Sequence, residues 1–474
     1  MTISDYINEY SDSDTTRLHM PGHKGSFGYR DDITEIKGAD SLYTADGIIA
    51  QSERKTSELF GTRNTFYSTE GSSQVIKAMC FLALQYYYQG IQGSGATEDL
   101  QKKTPTILAT RNAHKSFIYA SMLLGFKIRW IAPEDETFSL CRCSVSAEKL
   151  DLDLKKYIED CRNSGKEPDI AAVYITSPDY LGNILDIKGI AEVAHKYGLL
   201  LLCDNAHGSY LKFLKEDIHP ITLGADMTAD SAHKTLPVLT GGAYMHISPN
   251  APEEIEKDAR KALLMFGSTS PSYLILKSLD EAPDRIDADD YKETAERLKQ
   301  LKDKLQEAGI DTYGDEALKI VLDLRSWGVS GTFIAGKLRK YNIECEYADP
   351  DFLVTMWSPY NGLEKDYERF LVAVEEIFAG LQKLENDNEQ KAGIDSSDNG
   401  LKADLPEVRF QPFEIRYMPH NNKEVGDELI GKVAADSAVG CPPAVSPIVA
   451  GEVINENIIR ILDYYGIDKI EVLS

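Results

Sequence analysis

The chain has 474 residues, of which 42% are hydrophobic and 27% charged, a composition typical of a globular protein with two or three domains and a large core. Its formal net charge of -25 argues against nucleic acid and anionic membranes as partners. The charge would suit a cationic substrate, although an acidic surface kept for solubility explains it more simply. No apolar run reaches about 18 residues, so no membrane-spanning helix is expected.

The N-terminus and the cysteines predict a cytoplasmic protein. The first residues, MTISDYINEYSDSD, are acidic and lack the apolar stretch of a signal peptide. The number of cysteines is odd and they are scattered, so we expect reduced thiols. The seven cysteines are Cys80, Cys141, Cys143, Cys161, Cys203, Cys345 and Cys441.

The first half of the chain predicts an α/β fold. Residues 17–49 are rich in Gly, His, Pro and Asp and indicate ordered loop. After them, apolar strands alternate with helical stretches, which predicts a largely parallel sheet with helices on both faces. The run at 199–203 is continuously apolar, as in a strand buried on both sides. The predicted strands are 106–109, 127–131, 171–176 and 199–203, and the clearest helices are 73–85 and 187–197.

The second half predicts a smaller α+β domain and a tail. A charged helix is expected over 287–308, and residues 385–399 are polar and favour a linker. The further elements expected are strand 319–324, helix 331–339, strands near 343–347 and 352–357, and helix 363–384. The predicted division is an N-terminal segment 1–50, a large domain 51–285, a small domain 286–390, a linker 391–402 and a C-terminal module 403–474.

Lys234 is the first candidate for chemistry. It stands in DSAHKTLPVLTGG at 230–242, between small and hydroxyl side chains and before an apolar run. A lysine normally keeps its ammonium in water, so a surface position is the simpler interpretation. The neighbourhood instead suggests burial, which lowers the proton affinity of an amine and suits it to forming an imine.

Asp204 is a matching carboxylate. It ends the predicted strand in LLLLCDNAHGS, at the edge where ligands bind in open α/β sheets. A pyridoxal phosphate site needs a carboxylate beside the pyridinium nitrogen, because that proton makes the ring an electron sink. Capping of a following helix is an equally good explanation for Asp204 taken alone.

A phosphate cradle is predicted where STEGSSQ at 68–74 opens a helix. Free N–H groups and the helix dipole favour an anion there, although serine near a helix start is usually only a cap. Ser231 and His233 could add contacts, and so could the hydroxyl-rich stretch FGSTSPSY at 266–273. His114 in RNAHKS could stack on a flat ring. A hydrogen-bonded polar histidine near a helix start is the simpler interpretation of that residue.

Taken in chain order, these segments resemble the Orn/Lys/Arg decarboxylases of the aspartate-aminotransferase fold, in their short form. The blocks that carry the resemblance are RLHMPGHKG at 17–25, DITEIKGADSLYTADGII at 32–49, RNAHKS, TSPDYLGNILDI at 176–187, DNAHGS, DSAHKT, STSPSY and CPPAVSPIVAGEVI at 441–454. The resemblance implies a fold type I, pyridoxal-phosphate-dependent decarboxylase of polyamine biosynthesis that acts as a homodimer or dimer-based oligomer. His19 and His23 have the spacing of a helical metal pair, but Pro21 and Gly22 between them argue against a helix, so we expect no metal.

The resemblance also implies roles for individual residues. Lys234 would form the imine, Asp204 would hold the pyridinium nitrogen and His114 would stack on the ring. The remaining implied cofactor contacts are Ser72, Ser73, Gly71, Ser231 and His233 at the phosphate, Thr176 near the ring oxygen, Ala206 and His207 beside the ring, and Thr269 toward the neighbouring subunit's phosphate.

The chain departs from the family pattern at several positions near the substrate. Asn205 replaces a Glu, Asp179 precedes Tyr180 where Thr is common, and Glu70 begins a block usually written Asn-Gly-Thr-Ser. Leu42 follows Ser41 where a second Asp is usual. These changes leave the identity of the substrate undecided, but they do not alter the expected cofactor.

The implied reaction is decarboxylation of a basic L-amino acid, with arginine ranked before lysine and ornithine. Lys234 or His233 would return a proton to Cα. Asp46, Asp179 and Glu70 are candidates to pair with the distal cation, each equally well explained as a turn residue. The alternatives are another pyridoxal reaction, such as transamination or elimination, and a catalytically silent, cofactor-binding regulatory partner.

Overall fold

A central seven-stranded sheet organises the computed structural model, which describes residues 1–93, 104–387, 400–436, 440 and 442–474. The strands are β1 (Asn64–Ser68), β2 (Thr106–Thr110), β3 (Lys127–Ile131), β4 (Ile170–Thr176), β5 (Leu200–Asp204), β6 (Met227–Asp230), β7 (Ala243–Ile247), β8 (Thr312–Tyr313), β9 (Lys319–Asp323), β10 (Tyr347–Ala348), β11 (Phe352–Met356), β12 (His420–Glu424) and β13 (Lys469–Leu473).

The helices lie mainly on the two faces of that sheet and around the smaller one. They are α1 (Ile3–Asp12), α2 (Ile48–Phe60), α3 (Ser72–Gly93), α4 (Lys115–Leu124), α5 (Ala147–Asn163), α6 (Ile187–Lys196), α7 (Ala232–Thr235), α8 (Glu253–Lys257), α9 (Ala259–Met265), α10 (Tyr273–Arg285), α11 (Ala288–Glu307), α12 (Gly331–Leu338), α13 (Leu363–Asp387), α14 (Pro412–Ile415) and α15 (Glu456–Tyr464).

The central sheet has the strand order β1-β7-β6-β5-β4-β2-β3. Its strands run parallel except for β7, which pairs antiparallel with both β1 and β6. Val75 and Met79 of α3 pack in the core on one face, and Leu154 of α5 and Ile190 of α6 pack in the core on the other. The predicted parallel, doubly covered sheet is therefore confirmed.

The register of the central strands brings polar side chains together at one edge of the sheet. Thr176 at the end of β4 pairs with Asp204 at the end of β5, and Asp204 pairs with Ala229 of β6. Asp230 is the next residue, so three polar side chains end three neighbouring strands. The turns that follow these strands carry the candidate residues of the site.

Two smaller sheets follow. An antiparallel sheet of order β10-β11-β9-β8 packs with α12 and α13, as predicted for a small α+β domain. Strands β12 and β13 pair in the C-terminal region. The strand predicted near 343–347 is shorter than expected, because Asn342 turns the chain at φ +57° and β10 begins only at Tyr347. The five-part domain division stays a prediction, and its linker at 391–402 falls mostly outside the described residues.

Helix α1 is an element that the sequence pattern did not predict. Thr2 and Asp5 form a capping box, in which the Thr2 hydroxyl accepts the Asp5 N–H and the Asp5 carboxylate accepts the Thr2 N–H. Ile3 and Ile7 are one helical turn apart and are fully buried in a core shared with Leu276 of α10. Capping and one apolar pair thus anchor a helix whose other side chains are mostly polar.

The described cysteines agree with the expectation of free thiols. Cys80, Cys141, Cys143, Cys161, Cys203 and Cys345 form no disulfide, whereas Cys441 lies outside the described residues. In the part of the chain that the structure describes, no helix is both long and apolar enough to cross a membrane.

Candidate active site

Lys234 lies in α7, the single helical turn that directly follows β6, and its side chain is half-buried. Its Nζ is 2.8 Å from Nε2 of His207, which belongs to the turn after β5. The same nitrogen lies 5.6 Å from the ring centre of Tyr180, which follows β4. The turns after three neighbouring strands therefore converge on one amine.

Asp204 is 2% exposed at the end of β5. Its carboxylate accepts the Tyr174 hydroxyl at 3.1 Å and the Ala206 N–H at 3.2 Å. Burial raises the pKa of Asp204 to about 6, although the Tyr174 hydrogen bond and the Lys234 charge oppose that shift. With these two hydrogen bonds in place, the Asp204 carboxylate can still accept a third from another donor.

Four hydroxyls meet where α3 begins. Ser231 donates to the Ser72 hydroxyl at 2.8 Å, and Ser116 donates to the Ser73 hydroxyl, also at 2.8 Å. Gly71 precedes the helix with φ +71°, and no atom lies within 4 Å of the position that a Cβ would take there. Hydroxyl donors, a helix N-terminus and open space together make an anion cradle.

His114 caps α4, since its Nδ1 accepts the Ser116 N–H at 3.1 Å. Burial lowers the pKa of His114 to about 4, and the charges of Lys234, Lys115 and Lys77 lower it further. The imidazole is therefore neutral at physiological pH. The capping interpretation of this histidine is confirmed, and the charge of Lys234 also acts on its ring.

The other expected cofactor contacts lie around this group. His233 is half-buried, its Nδ1 lies 2.9 Å from the Gly242 carbonyl, and burial lowers its pKa. The Thr176 hydroxyl oxygen is buried and has no hydrogen-bond partner among the described residues. Ala206 is partly exposed two residues after Asp204. Burial, and next the Lys234 charge, hold the pKa of His207 well below its usual value.

Thr269 stands apart from the serine cluster within this chain. It is exposed in the loop between α9 and α10, and no contact joins it to Ser72. The neighbouring Ser268 N–H donates to the Glu70 carboxylate at 3.4 Å, so the loop lies near the start of α3. Its expected role in a neighbouring subunit stays a prediction.

The three acidic candidates for the distal cation are turn or surface residues. Asp179 is buried, and its carboxylate accepts the Asn183 N–H at 2.9 Å and the Asn183 amide at 2.6 Å, while burial raises its pKa to about 6. The Asp179 side chain therefore stabilises the turn to which it belongs. Asp46 and Glu70 are exposed.

Glu346 is an acidic residue of the site that sequence reasoning missed. It precedes β10 in the small sheet, is half-buried, and accepts the Tyr180 hydroxyl at 2.5 Å. Tyr180 in turn lies beside both Lys234 and His207, whose ring centre is 4.6 Å away. No local motif marks Glu346, because only the packing of the small sheet against the large one brings it here.

A second buried carboxylate, Asp230, lies one strand away from Asp204. It accepts the Asn205 amide at 3.0 Å and contacts Nε2 of His219 at 2.9 Å. Because the Ile221 N–H donates to Nδ1 of His219, the proton of that ring lies on Nε2 and points at Asp230. His246 is 3.7 Å from the same oxygen. These side chains are of metal-ligand types, but this geometry is that of a hydrogen-bonded network.

Comparisons with known proteins identify the family of this chain. A family model described as Orn/Lys/Arg decarboxylase, major domain, matches residues 3–312. The chain belongs to this family. Members of the Orn/Lys/Arg decarboxylase family depend on pyridoxal phosphate. The arginine decarboxylase of Bacillus subtilis is 26% identical over 95% of this chain and 90% of its own length.

Solved structures support the fold of this Orn/Lys/Arg decarboxylase family member. The lysine decarboxylase of Francisella novicida covers all of this chain and is itself covered to 81%, with a TM-score of 0.78 and 17% identity. The constitutive lysine decarboxylase of Escherichia coli gives a TM-score of 0.74 at 16% identity, with coverages of 100% and 82%. The predicted fold type I architecture is thereby confirmed.

Proposed function

We propose that the chain decarboxylates a basic L-amino acid to the corresponding amine and carbon dioxide with the help of pyridoxal phosphate. The observation that carries this proposal is the convergence of Lys234, Asp204 and the serine cluster at one edge of the sheet. Arginine ranks first as substrate, before lysine and ornithine, since the arginine decarboxylase of Bacillus subtilis aligns over nearly its whole length.

The residues present fit this cofactor. The Thr176 hydroxyl lacks a partner within the described chain, the Asp204 carboxylate can accept a further N–H, and Gly71 leaves space at the anion cradle. Asp204 would hold the proton of the ring nitrogen, and His114 would stack on the ring. The other contacts proposed are Ser72, Ser73, Gly71, Ser231 and His233 for the phosphate, Thr176, Ala206 and His207 near the ring, and Thr269 of a second subunit.

Pyridoxal phosphate held by Lys234 would supply an electron sink for the electron pair that remains on Cα when carbon dioxide leaves. Asp204 stabilises the cationic ring nitrogen from a buried position, where a carboxylate interacts strongly. His207 accepts a hydrogen bond from Lys234 and so fixes the direction of its Nζ.

Lys234 is the better candidate to return a proton to Cα. Nδ1 of His233 lies 2.9 Å from the Gly242 carbonyl, so Nδ1 carries the proton of the neutral ring and donates it there. Nε2 of His233 then has no proton to give. The Lys234 amine would carry protons and would lie within the site once the substrate has taken its place at the cofactor.

We infer that Glu346 binds the distal cation of the substrate. It is the acidic group hydrogen-bonded to Tyr180, whose ring faces Lys234, so a chain that starts near Lys234 and passes Tyr180 ends at this carboxylate. Replacing Glu346 with Gln removes the charge and keeps the shape. The expected result is a KM raised about 10- to 100-fold with a smaller change in kcat.

Glu344 provides the matched control for Glu346. Glu344 and Glu346 both line one cavity of the small domain, but Glu344 is exposed and paired with Arg339 at 2.7 Å. Glu344→Gln should leave KM within about twofold of the wild type. Equal effects of the two substitutions on KM would contradict a specific role for Glu346.

The deciding experiment is mass-spectrometric product analysis of cofactor-loaded protein incubated with arginine, lysine, ornithine and other amino acids. An amine lighter than one substrate by carbon dioxide establishes decarboxylation and names the substrate. A keto acid or an elimination product would favour another pyridoxal reaction. Bound cofactor without any turnover would favour a regulatory partner.

The Lys234→Ala variant controls for the site itself. It should lose both turnover and the visible absorbance of the covalently bound cofactor, because the substitution removes the amine that would form the imine. A variant that kept both would refute the assignment of Lys234.

A further inference from the structure

Lys77 is a cation near the serine cluster that none of the proposed roles uses. It lies on α3, is half-buried, and its ammonium has no hydrogen bond or ion pair to any described residue. Burial lowers the pKa of Lys77, although the charge of Glu70 opposes that shift. An ammonium that loses water without gaining a partner is costly, which suggests that its partner is a ligand.

The position of Lys77 on the helix directs it toward the cradle. It is four residues after Ser73, so the two side chains share one face of α3. Helical side chains lean toward the N-terminus, which brings the Lys77 ammonium toward the start of the helix. Ser73 is joined through the Ser116 hydroxyl to His114, and the Lys77 charge acts on that histidine.

The charge of a bound phosphate also favours a cation at the cradle. Ser72, Ser73 and Ser231 are neutral donors, and burial lowers the pKa of His233, which favours its neutral form. A phosphate monoester carries a charge of about -1.5 to -2 at neutral pH. The groups proposed so far therefore offer hydrogen bonds to the phosphate but no positive side chain.

We propose that Lys77 completes the phosphate-binding site, with its ammonium paired to the cofactor phosphate that Ser72 and Ser73 hold. This inference rests on the proposed function. It adds a charged contact from the second turn of α3 to the neutral contacts of its first turn. Lys77 would then contribute to cofactor affinity through the phosphate alone and not through the ring.

The test compares two ligands that differ by the phosphate. Apoprotein of the wild type and of Lys77→Met is titrated with pyridoxal phosphate and with pyridoxal, and binding is followed by absorbance and protein fluorescence. The expected result is a loss of about 10- to 100-fold in affinity for pyridoxal phosphate, typical of a charged hydrogen bond, with unchanged affinity for pyridoxal. Lys77→Arg should restore part of the loss.

Lys115 supplies the matched control, since it is also half-buried and its charge also acts on His114. Lys115→Met should weaken pyridoxal phosphate binding less than Lys77→Met does. The inference is overturned if Lys77→Met binds pyridoxal phosphate like the wild type, or loses both ligands equally. If wild-type protein binds no pyridoxal phosphate, the proposed function fails and this inference fails with it.

Discussion

Asp204 and Asp230 end neighbouring parallel strands, and both are almost completely buried, yet their environments differ. Burial raises the pKa of Asp204 to about 6. Burial acts in the same direction on Asp230, but its interactions with His219, and next those with His246 and Asn205, lower its pKa overall. Asp230 therefore has protein partners that stabilise its charge, whereas Asp204 has few.

This difference separates a structural carboxylate from a functional one. The partners of Asp230 are buried side chains of the protein itself, so its charge is compensated within the fold. Asp204 has a hydroxyl and one backbone N–H, which leave its charge poorly compensated until a cationic ring nitrogen binds. Incomplete compensation is a cost to the free protein and a source of affinity for the cofactor.

The largest effect is expected for Asp230→Asn. Two buried donors, the Asn205 amide and Nε2–H of His219, lose a charged acceptor, and one of them is left facing an NH2 group, so the free energy of unfolding should fall by about 3–5 kcal/mol. Urea unfolding of the apoprotein measures this. Because the pKa of Asp230 is lowered, its stabilising charge disappears only at acid pH. The loss of unfolding free energy in Asp230→Asn should therefore be the same at pH 5 and pH 8. A stable variant with unchanged unfolding would contradict the structural role.

Asp204→Asn should instead act on catalysis. An amide cannot hold the proton of the ring nitrogen through a charge, so kcat/KM should fall by about 100- to 1,000-fold. Steady-state kinetics on the substrate found by product analysis provides the measurement. Asp230→Asn, assayed where it is folded, is the control and should retain most of its turnover.

The same Asp204→Asn substitution should stabilise the apoprotein. Ionising this buried carboxylate costs free energy in the folded state, since its pKa rises from 3.8 to about 6. The wild type loses unfolding free energy as pH rises from about 4 through 6, because Asp204 must then ionise in a buried position. The variant does not ionise, so above that range it should be more stable than the wild type by up to about 3 kcal/mol. Unfolding at pH 5 and pH 8 should show the difference growing with pH, and a constant difference would argue against a raised pKa.

Tyr174→Phe should have the smallest effect. It removes the hydroxyl donated to Asp204 but keeps the ring stacked on Phe117, whose centre is 4.1 Å away. The expected cost is about 1 kcal/mol of apoprotein stability at pH 8, with the pKa of Asp204 raised further. The same unfolding experiment at pH 5 should show a smaller cost, because Asp204 is then more protonated.

The strand ends could be predicted from the sequence, whereas the contacts between sheets could not. Continuous apolar runs located β4 and β5, and their last residues then placed Asp204 at the ligand edge. Lys234 was identifiable because small and hydroxyl residues surround it. Glu346 carries no such signal, since its role depends on how the small sheet packs, a long-range property of the fold.

Local signals were also missed where they were weak. The capping box of Thr2 and Asp5 was visible in the sequence, but the acidic composition of the segment concealed α1. His207 was expected near the ring without a partner, and the structure places it against Lys234. Lys77 showed no signal, because an isolated lysine in a helix is usually exposed.

The contact between Tyr180 and Glu346 joins the large sheet to the small one beside Lys234. If Glu346 binds the far end of the substrate, then one end of that molecule is fixed on each sheet. The distance between the two sheets would then set the length of substrate that can bind at both ends. A substrate one methylene too short would lose one of its two attachments. Selection by length would then be set by domain packing rather than by any single residue of the pocket.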